Sequence, residues 1–332
     1  MTERRYPAIV IDHESLRHNV KTICDWCEDT GIFVAGVIKG ANGILSVAED
    51  YVAGGAKMIA SSRMEQLKRC REGNIGVPLL MIRVPMLSEL DELVQVADYS
   101  LNSELVTLRA LDKAAEAHGV VHNVVLMADL GDLREGYFNH DELVETAETV
   151  ERELPHLHLA GIGTNLGCYG SVMATEDKMQ ELADLAIRVE KSIGRELEIV
   201  SGGATSSLMG VFGGYMPEKI NMLRIGAAAL AGPLEDMKIC YGYSEMDALR
   251  DDAFTLEAQV IEVKKKASHP IGQLGVDAFG KKQTYVDRGE RTRALVAVGR
   301  ADYGEISDLV PTIEGMEVIG ASGDHTILDI ED

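Results

Sequence analysis

The chain has 332 residues, of which 46% are hydrophobic and 26% are charged, and its formal net charge is −22. These proportions are typical of a globular protein with room for one large domain and a smaller one. So strong a negative charge repels phosphate backbones and anionic lipid headgroups. We therefore expect neither nucleic acid nor a membrane surface as a partner.

Neither export nor membrane insertion is indicated. Residues 1–6 are charged and lack the apolar core of a signal peptide, and no apolar run is long enough to cross a bilayer. The five cysteines are odd in number and widely spaced, unlike a disulfide framework. Cys24 and Cys27 form a Cys-x-x-Cys pair without a second pair, so we predict no metal site. A cytoplasmic location is expected.

Short apolar runs alternate with amphipathic stretches, which indicates alternating strands and helices. After an opening segment, Ala8–Ile11, and a helix, His13–Glu28, eight runs are predicted to be strands: 33–38, 57–60, 78–82, 98–101, 123–129, 157–162, 197–201 and 221–225. Eight β/α repeats predict an α/β fold of the closed parallel (β/α)8 TIM-barrel type. The competing open sheet carries a glycine-rich nucleotide turn after its first strand, and residues 40–43 lack that pattern.

The pattern changes near residue 252 to β-branched runs without long helices, at 254–263, 293–298, 316–319 and 326–330. We therefore predict a barrel domain over residues 1–240 and a smaller β-rich C-terminal domain over residues 241–332. The boundary is placed where Gly, Tyr and charged residues interrupt the barrel pattern.

Polar residues follow most of the predicted barrel strands, at the end where barrel enzymes carry their chemistry. They are Lys39, Arg83, Asn102, Arg134, Asn165, the run 201–207 and Arg224. Each of them alone is more often structural than functional. A lysine that ends an apolar strand should point into a mouth with apolar walls, where desolvation favours the neutral, nucleophilic amine that forms a Schiff base.

The run 201–207 and Gly226 are candidates for phosphate binding. Backbone N–H groups and hydroxyls of Gly203, Thr205 and Ser206 can cradle a phosphate, and barrel phosphate sites lie after strands seven and eight. A lysine and a phosphate site in one mouth suggest pyridoxal 5'-phosphate (PLP). A sugar-phosphate aldolase or isomerase on the same fold is an equally open interpretation of this geometry.

Several longer strings point to one family: Asp-Leu-Gly-Asp-Leu-Arg-Glu-Gly-Tyr at 129–137, Gly-Ile-Gly-Thr-Asn at 161–165, Ile-Val-Ser-Gly-Gly at 199–203 and Leu-Arg-Ile-Gly at 223–226. With them the chain resembles the alanine/ornithine racemase family, the barrel-type (fold type III) PLP enzymes, and within it the ornithine racemase branch. The match runs in order over nearly the whole length.

The resemblance implies a PLP-dependent isomerase that interconverts L and D enantiomers of ornithine or a related amino acid by two-base proton transfer.

The same resemblance implies a role for each site residue. Lys39 would form the Schiff base and act as one base. Arg224, which offers donors and no acceptor, would face the pyridine nitrogen and keep it unprotonated, which disfavours transamination. Arg134 would lie near the phenolic oxygen or the substrate carboxylate, and Asn165 against the ring. Ser201, Gly203, Thr205, Ser206 and Gly226 complete the predicted cofactor-binding set. Ion pairs to barrel carboxylates are the alternative interpretation of the two arginines.

The second base is less clear, because Phe279 occupies roughly the place of the family's opposite-face tyrosine. We predict Asp277, contributed across the interface of a homodimer with shared active sites, and hold His325 in reserve. Both residues are also typical of turns. Relatives continue for some tens of residues beyond residue 332, so we expect the C-terminal domain to be incomplete.

Two other functions stay open. A PLP-dependent D-amino-acid aldolase or dehydratase on the same scaffold should carry a set of metal ligands in the β domain, and we find no His/Cys cluster there. A non-catalytic PLP-binding homeostasis protein would normally be a barrel without the second domain.

Overall fold

The structure, a computed structural model, describes residues 5–277 and 279–330. Contacts divide the chain into two compact units, one over Asp12–Ala253 and one that joins the segment up to Ile11 to the residues from Phe254 onward. The predicted division at residues 240 and 241 lies thirteen residues earlier than this one, and it places the first strand in the other unit.

Hydrogen bonds to the first helix explain why the barrel unit extends to Ala253. His18 Nε2 lies 2.8 Å from the carbonyl of Ala248, and the amide side chain of Asn19 bonds both backbone groups of Arg250, at 2.7 and 2.8 Å. These contacts join residues more than 200 positions apart, so no local sequence pattern predicts them.

Eight parallel strands close into a barrel, as predicted. In chain order they are β2 Phe33–Val37, β3 Met58–Ser61, β4 Leu79–Met81, β5 Tyr99–Asn102, β6 His122–Ala128, β7 Leu157–Thr164, β8 Ile199–Ser201 and β9 Met222–Ile225. Pairing of β2 with both β3 and β9 closes the ring. Alternate side chains, among them Val37, Leu101, Met127 and Met222, fill the interior, which is therefore a packed core.

Helices surround the barrel. They are α1 His13–Glu28, α2 Leu45–Ala53, α3 Met64–Glu72, α4 Leu90–Val96, α5 Leu105–His118, α6 His140–Glu153, α7 Glu176–Ile193, α8 Leu208–Phe212, α9 Ala227–Ala231 and α10 Glu235–Tyr241. Each long helix turns an apolar stripe towards the sheet, as Leu182, Leu185 and Val189 of α7 do. Among the described residues, no helix is long and apolar enough to cross a membrane.

The other unit contains two antiparallel sheets. Strand β1, Ala8–Ile11, pairs with β10, Phe254–Glu257, and a four-stranded sheet has the order β11-β12-β14-β13. Its strands are β11 Val260–Ala267, β12 Glu290–Val296, β13 Glu317–Ala321 and β14 Thr326–Asp329, and a short helix, α11 Arg300–Tyr303, follows β12. The run 254–263 divides at residues 258 and 259 between the two sheets, so it contributes to two strands.

His122 makes the barrel sensitive to acid. It begins β6, is 2% exposed, and its Nε2 lies 2.9 Å from the hydroxyl of Ser100. Burial lowers the pKa of His122 to about 4. The imidazole is therefore neutral in the folded protein at pH 5, where an unfolded chain would protonate it.

We expect the free energy of unfolding to fall by about 2 kcal/mol between pH 7 and pH 5 through this residue alone. The sign follows because the folded-state pKa is depressed, so that below pH 6.5 the unfolded state binds more protons than the folded state. Urea unfolding at the two pH values checks the expectation. His122→Gln, which can still bond Ser100, should lose correspondingly less stability, and equal losses in both proteins would contradict it.

Candidate active site

The carboxyl ends of the barrel strands surround a cavity of about 700 Å³. Seven of the nine residues predicted to bind the cofactor line it: Lys39, Arg134, Asn165, Thr205, Ser206, Arg224 and Gly226. Ser201 and Gly203 do not line the cavity, but both support residues that do. The predicted cofactor residues of the barrel therefore come together at one site.

Lys39 lies two positions after the last residue of β2 and opens a single 3₁₀ turn, Lys39–Ala41. The preceding strand is buried, but Lys39 itself is exposed. The structure therefore differs from the expectation that burial desolvates this lysine. The cavity wall contributes four arginines besides Lys39 and one acidic side chain, Glu135, together with apolar side chains such as Val37 and Ile82.

Arg224, on β9, is 4% exposed. Its guanidinium donates to the hydroxyl of Ser201, to the carbonyl of Thr164 at 2.8 Å and to Oδ1 of Asn165 at 3.4 Å. No carboxylate of the described residues lies within ion-pair distance of it, so the alternative interpretation as a paired barrel arginine does not apply. Burial lowers the pKa of Arg224 to about 10, which leaves the group charged at neutral pH.

Free backbone donors stand at the ends of β8 and β9. Ala204 and Gly226 line the cavity, and within the described parts of the chain their N–H groups donate to no acceptor. Thr205 and Ser206 add hydroxyls to the same wall. Ala204 and Gly226 are both half-buried, and free N–H donors on a concave wall fit a phosphate whose oxygens accept from them.

Gly203 shapes this wall through its backbone. Its φ is +120°, a conformation that L side chains rarely adopt, and a Cβ there would lie 2.4 Å from the hydroxyl oxygen of Ser207. That hydroxyl donates to the carbonyl of Gly202 at 2.8 Å. A side chain at position 203 would therefore distort the turn that presents the N–H of Ala204.

We expect Gly203→Ala to weaken PLP binding by about tenfold to a hundredfold, since strain of about 1–3 kcal/mol falls on the wall that holds the phosphate. Fluorescence titration of the apoprotein with PLP measures the loss. Gly214→Ala is the matched control, because Gly214 also has positive φ, at +67°, but a Cβ there meets nothing within 4 Å. Equal PLP affinity in both variants would contradict the expectation.

Arg134 and Asn165 face the same space from the loops after β6 and β7. Arg134 is paired with Glu135, its neighbour in sequence, and its Nη1 donates to the sulfur of Cys168 at 3.0 Å. Arg134 therefore makes an ion pair, as the alternative interpretation expected, whereas Arg224 does not. Asn165 accepts from Arg224, which places its side chain beside the buried guanidinium.

Asp277 has the contacts of a turn residue. Its carboxylate accepts from the N–H groups of Phe279 and Lys281 at 2.9 and 2.8 Å and from the side chain of Gln283 at 2.6 Å. These bonds lower the pKa of Asp277, that from Gln283 most. His325 bonds Asp324 beside it, at 3.0 Å. Both residues belong to the smaller unit, and their part in catalysis stays a prediction.

Several cavity residues were not predicted. Cys168 lies three positions after Asn165 in the same loop, Met237 and Tyr241 come from α10, and Leu234 directly precedes that helix. Asn165 was predicted because it directly follows a barrel strand, and extending the same expectation to the rest of this loop would include Cys168. The α10 residues carry no such signal, because the predicted domain boundary ran through this helix.

Asn102, at the end of β5, lies behind the barrel wall rather than in the mouth. It is wholly buried and donates to the carbonyl and hydroxyl of Ser100 at 3.0 and 2.9 Å.

Among residues 5–277 and 279–330, no group of three or more His, Cys, Asp or Glu is placed to hold a metal ion.

Comparisons with known proteins agree with this geometry. Residues 11–232 match the family model for the N-terminal domain of alanine racemase. Ornithine racemase of Acetoanaerobium sticklandii is 40% identical over 98% of this chain and 90% of that protein. Lysine racemase of Thermotoga maritima is 35% identical over 98% of this chain and 89% of that protein.

A solved structure shows the same fold. The alanine racemase of a Streptomyces lavendulae that produces D-cycloserine superposes with a TM-score of 0.75 at 21% identity, over 99% of this chain and 85% of that one. The family match covers most of the chain, and two relatives exceed 30% identity over nearly all of it. The chain belongs to the alanine racemase family, the PLP-dependent amino-acid racemases, which are isomerases.

Proposed function

We propose that this racemase interconverts the L and D enantiomers of ornithine or a closely related basic amino acid, with Lys39 as the cofactor lysine and as one of two bases. The observation that carries the proposal is that Lys39, the buried Arg224 and the free N–H groups of Ala204 and Gly226 line one cavity. An amine, a donor-only cation and an oxyanion cradle match the aldehyde, the pyridine nitrogen and the phosphate of PLP.

Each group has a distinct task in this proposal. Bound PLP supplies an electron sink that makes the α-proton of the amino acid removable. Ala204, Gly226 and the hydroxyls of Thr205 and Ser206 hold the phosphate. Arg224, kept in place by Ser201 and Thr164, directs N–H donors at the ring nitrogen. Lys39 takes or returns the α-proton on one face.

The choice of a basic amino acid rests on two observations. The curated relatives at 40% and 35% identity are an ornithine and a lysine racemase. Glu135 supplies a negative charge in a cavity wall that otherwise holds five basic side chains. A substrate with a terminal ammonium can pair with the free lone pairs of this carboxylate, and Leu234 and Met237 give its methylene groups an apolar surface.

We also infer a cytoplasmic homodimer. All five cysteines are present as free thiols, as is usual in a reducing compartment. On the smaller unit, the edge strand β11 exposes Val260, Ile261 and Val263, and such exposed apolar surface is typical of an interface. Light scattering of the purified enzyme would test the dimer, and a monomer at micromolar concentration would exclude it.

Two measurements test the proposed function together. Borohydride reduction of the purified enzyme with PLP, followed by peptide mapping, should place the label on Lys39. Incubation in D2O with single enantiomers of ornithine, lysine and alanine should bring deuterium into both enantiomers, and fastest for a basic amino acid.

The alternatives give different results. Cleavage of a β-hydroxy amino acid without racemisation would indicate the aldolase or dehydratase. A trapped label without any exchange would indicate a PLP-binding homeostasis protein. Absence of PLP binding at saturating cofactor would remove the proposed function altogether.

A further inference from the structure

The proposed function requires the amine of Lys39 at a fixed place, and this inference rests on that function. Lys39 is exposed, and its four-carbon stem is flexible. Within the described parts of the chain, its ammonium makes no hydrogen bond or ion pair. The position of the amine therefore depends on the backbone turn from which the side chain extends.

That turn is closed by its own backbone. The N–H groups of Ala41 and Gly43 both donate to the carbonyl of Ile38, at 3.1 Å. The N–H of Asn42 donates to the carbonyl of Lys39, also at 3.1 Å. Asn42 has a φ of +50°, in the left-handed region that residues other than glycine seldom adopt. Such a conformation persists where the surrounding structure holds it.

Gln66, on α3, connects this turn to the barrel wall. It is 5% exposed, its Nε2 donates to Oδ1 of Asn42 at 3.1 Å, and its Oε1 accepts from the hydroxyl of Ser61. Ser61 is wholly buried and ends β3, the strand that pairs with β2. Both polar ends of this buried amide are thus engaged, one by the barrel and the other by the turn that begins at Lys39.

Packing brings the same two elements together. Position 43 has no room for a side chain, because a Cβ there would lie 2.5 Å from Cβ of Gln66 and 3.1 Å from its Cα. Helix α3 therefore lies directly against the turn. Gln66 itself does not line the cavity, so any effect that it has on the reaction acts through this turn.

The amide of Gln66 contributes direction rather than bulk. A buried amide costs free energy unless its groups are bonded, and an apolar side chain of the same length would fill the space without that cost. A fully bonded polar network instead fixes one arrangement of the groups that it joins. Here that arrangement is the turn that carries Lys39.

We propose that Gln66 is a positioning residue for the reaction: by bonding Asn42 to the barrel wall, it sets where the amine of Lys39 lies. That amine must meet the cofactor aldehyde and the α-carbon of the substrate. A displacement of about 1 Å between reacting groups can cost about a hundredfold in rate. Loss of the bond should therefore slow each step in which Lys39 takes part and leave phosphate binding after β8 and β9 unchanged.

Two ligands of the whole chain, prepared without cofactor, separate these effects. PLP becomes attached to Lys39: the amine nitrogen forms a double bond to the aldehyde carbon, and the aldehyde oxygen leaves with both amine protons as water. Stopped-flow absorbance at saturating PLP measures the rate of this step. Pyridoxine 5'-phosphate lacks the aldehyde and binds without attachment, so its affinity reports the phosphate contacts alone.

Gln66→Met keeps the length of the side chain and forms neither bond. Attachment of PLP should be about tenfold to a hundredfold slower in this variant, because the amine is displaced from the aldehyde. Affinity for pyridoxine 5'-phosphate should stay within about threefold of that of the wild type. In the holoenzyme, kcat for racemisation should fall and KM should change little.

Asn42→Gly tests the path of the effect. Asn42 is exposed, and glycine adopts the left-handed backbone readily, so the variant should fold. It offers Gln66 no acceptor and therefore loses the same bond as Gln66→Met. Both variants should slow attachment alike, and the double variant should be no slower than either.

Ser100→Ala is the matched control. Ser100 is also a wholly buried polar residue of the barrel, and its hydroxyl lies 2.9 Å from nitrogen atoms of His122 and Asn102. It belongs to β5, three strands from β2. Loss of this hydroxyl should lower the free energy of unfolding and leave the rate of PLP attachment unchanged.

The outcomes separate this inference from the proposed function. Attachment within about threefold of the wild-type rate in Gln66→Met and Asn42→Gly would overturn it. So would an equal loss of affinity for pyridoxine 5'-phosphate, which marks a general loss of structure, or losses that multiply in the double variant. A wild type labelled by borohydride on a lysine other than Lys39 would instead remove the role of Lys39 in the proposed function.

Discussion

Lys39→Ala should lose covalent PLP attachment and at least about 10⁴-fold in kcat, the largest effect expected of any single substitution. The variant removes both the amine that binds the aldehyde and the base on one face of the substrate. Apart from this amine, the cofactor contacts inferred above come from Arg224 and from the residues that follow β8 and β9. We therefore expect the variant still to bind PLP non-covalently, with an affinity that a fluorescence titration can measure.

Lys57→Ala is the matched control for this experiment. Lys57 is exposed and directly precedes β3, so it lies at the opposite end of the barrel from the cavity. Borohydride should label the wild type and Lys57→Ala on the same peptide and leave Lys39→Ala unlabelled. A label on any other lysine, or a stable label in Lys39→Ala, would show that Lys39 is not the attachment site.

The barrel could be predicted because its strands are buried on both faces, and such strands form continuous apolar runs. The predicted run 33–38 corresponds to β2, Phe33–Val37, and 221–225 corresponds to β9, Met222–Ile225. Bounds differ by two residues at most at the ends of these strands, where pairing with a neighbour rather than apolarity decides which residue is last.

The smaller unit was less predictable for a physical reason. Residues 254–263 are rich in β-branched and apolar residues, and nothing local marks the point where the chain leaves one partner strand for another. Strand β10 pairs with β1, from the start of the chain, whereas β11 pairs with β12. The change of partner strand depends on contacts between segments far apart in the chain. The alternation of apolar and polar residues along a strand therefore does not reveal it.

The sequence predicted most of the polar residues that line the cavity, but not how exposed each of them is. Lys39 and Arg224 both belong to apolar strand ends, and the sequence gives them the same expected surroundings. In the structure Lys39 is exposed and Arg224 is buried against Ser201 and Thr164. Burial depends on which strands lie beside each residue and how the loops close over it. Cys168 was missed because the prediction for the loop after β7 named only Asn165, the first residue after the strand.

Replacement of Arg224 by glutamine should change which reaction occurs as well as its rate. The guanidinium offers five N–H donors, no acceptor and a charge that persists at neutral pH. Glutamine removes the charge and adds an acceptor, so protonation of the ring nitrogen is no longer opposed. We expect kcat for racemisation to fall by about 100-fold and the amount of 2-oxo acid formed per racemisation event to rise.

Mass spectrometry of the 2-oxo acid and chiral chromatography of the amino acid measure this ratio. Arg109→Gln, which breaks an exposed ion pair with Glu153, controls for loss of an arginine elsewhere. Ser201→Ala removes one partner of Arg224 and keeps its charge, so it should slow racemisation without raising the ratio. If Arg224→Gln and Ser201→Ala slow the reaction alike and leave the ratio unchanged, Arg224 acts by packing alone. A raised ratio confined to Arg224→Gln would assign the suppression of transamination to the charge of the guanidinium.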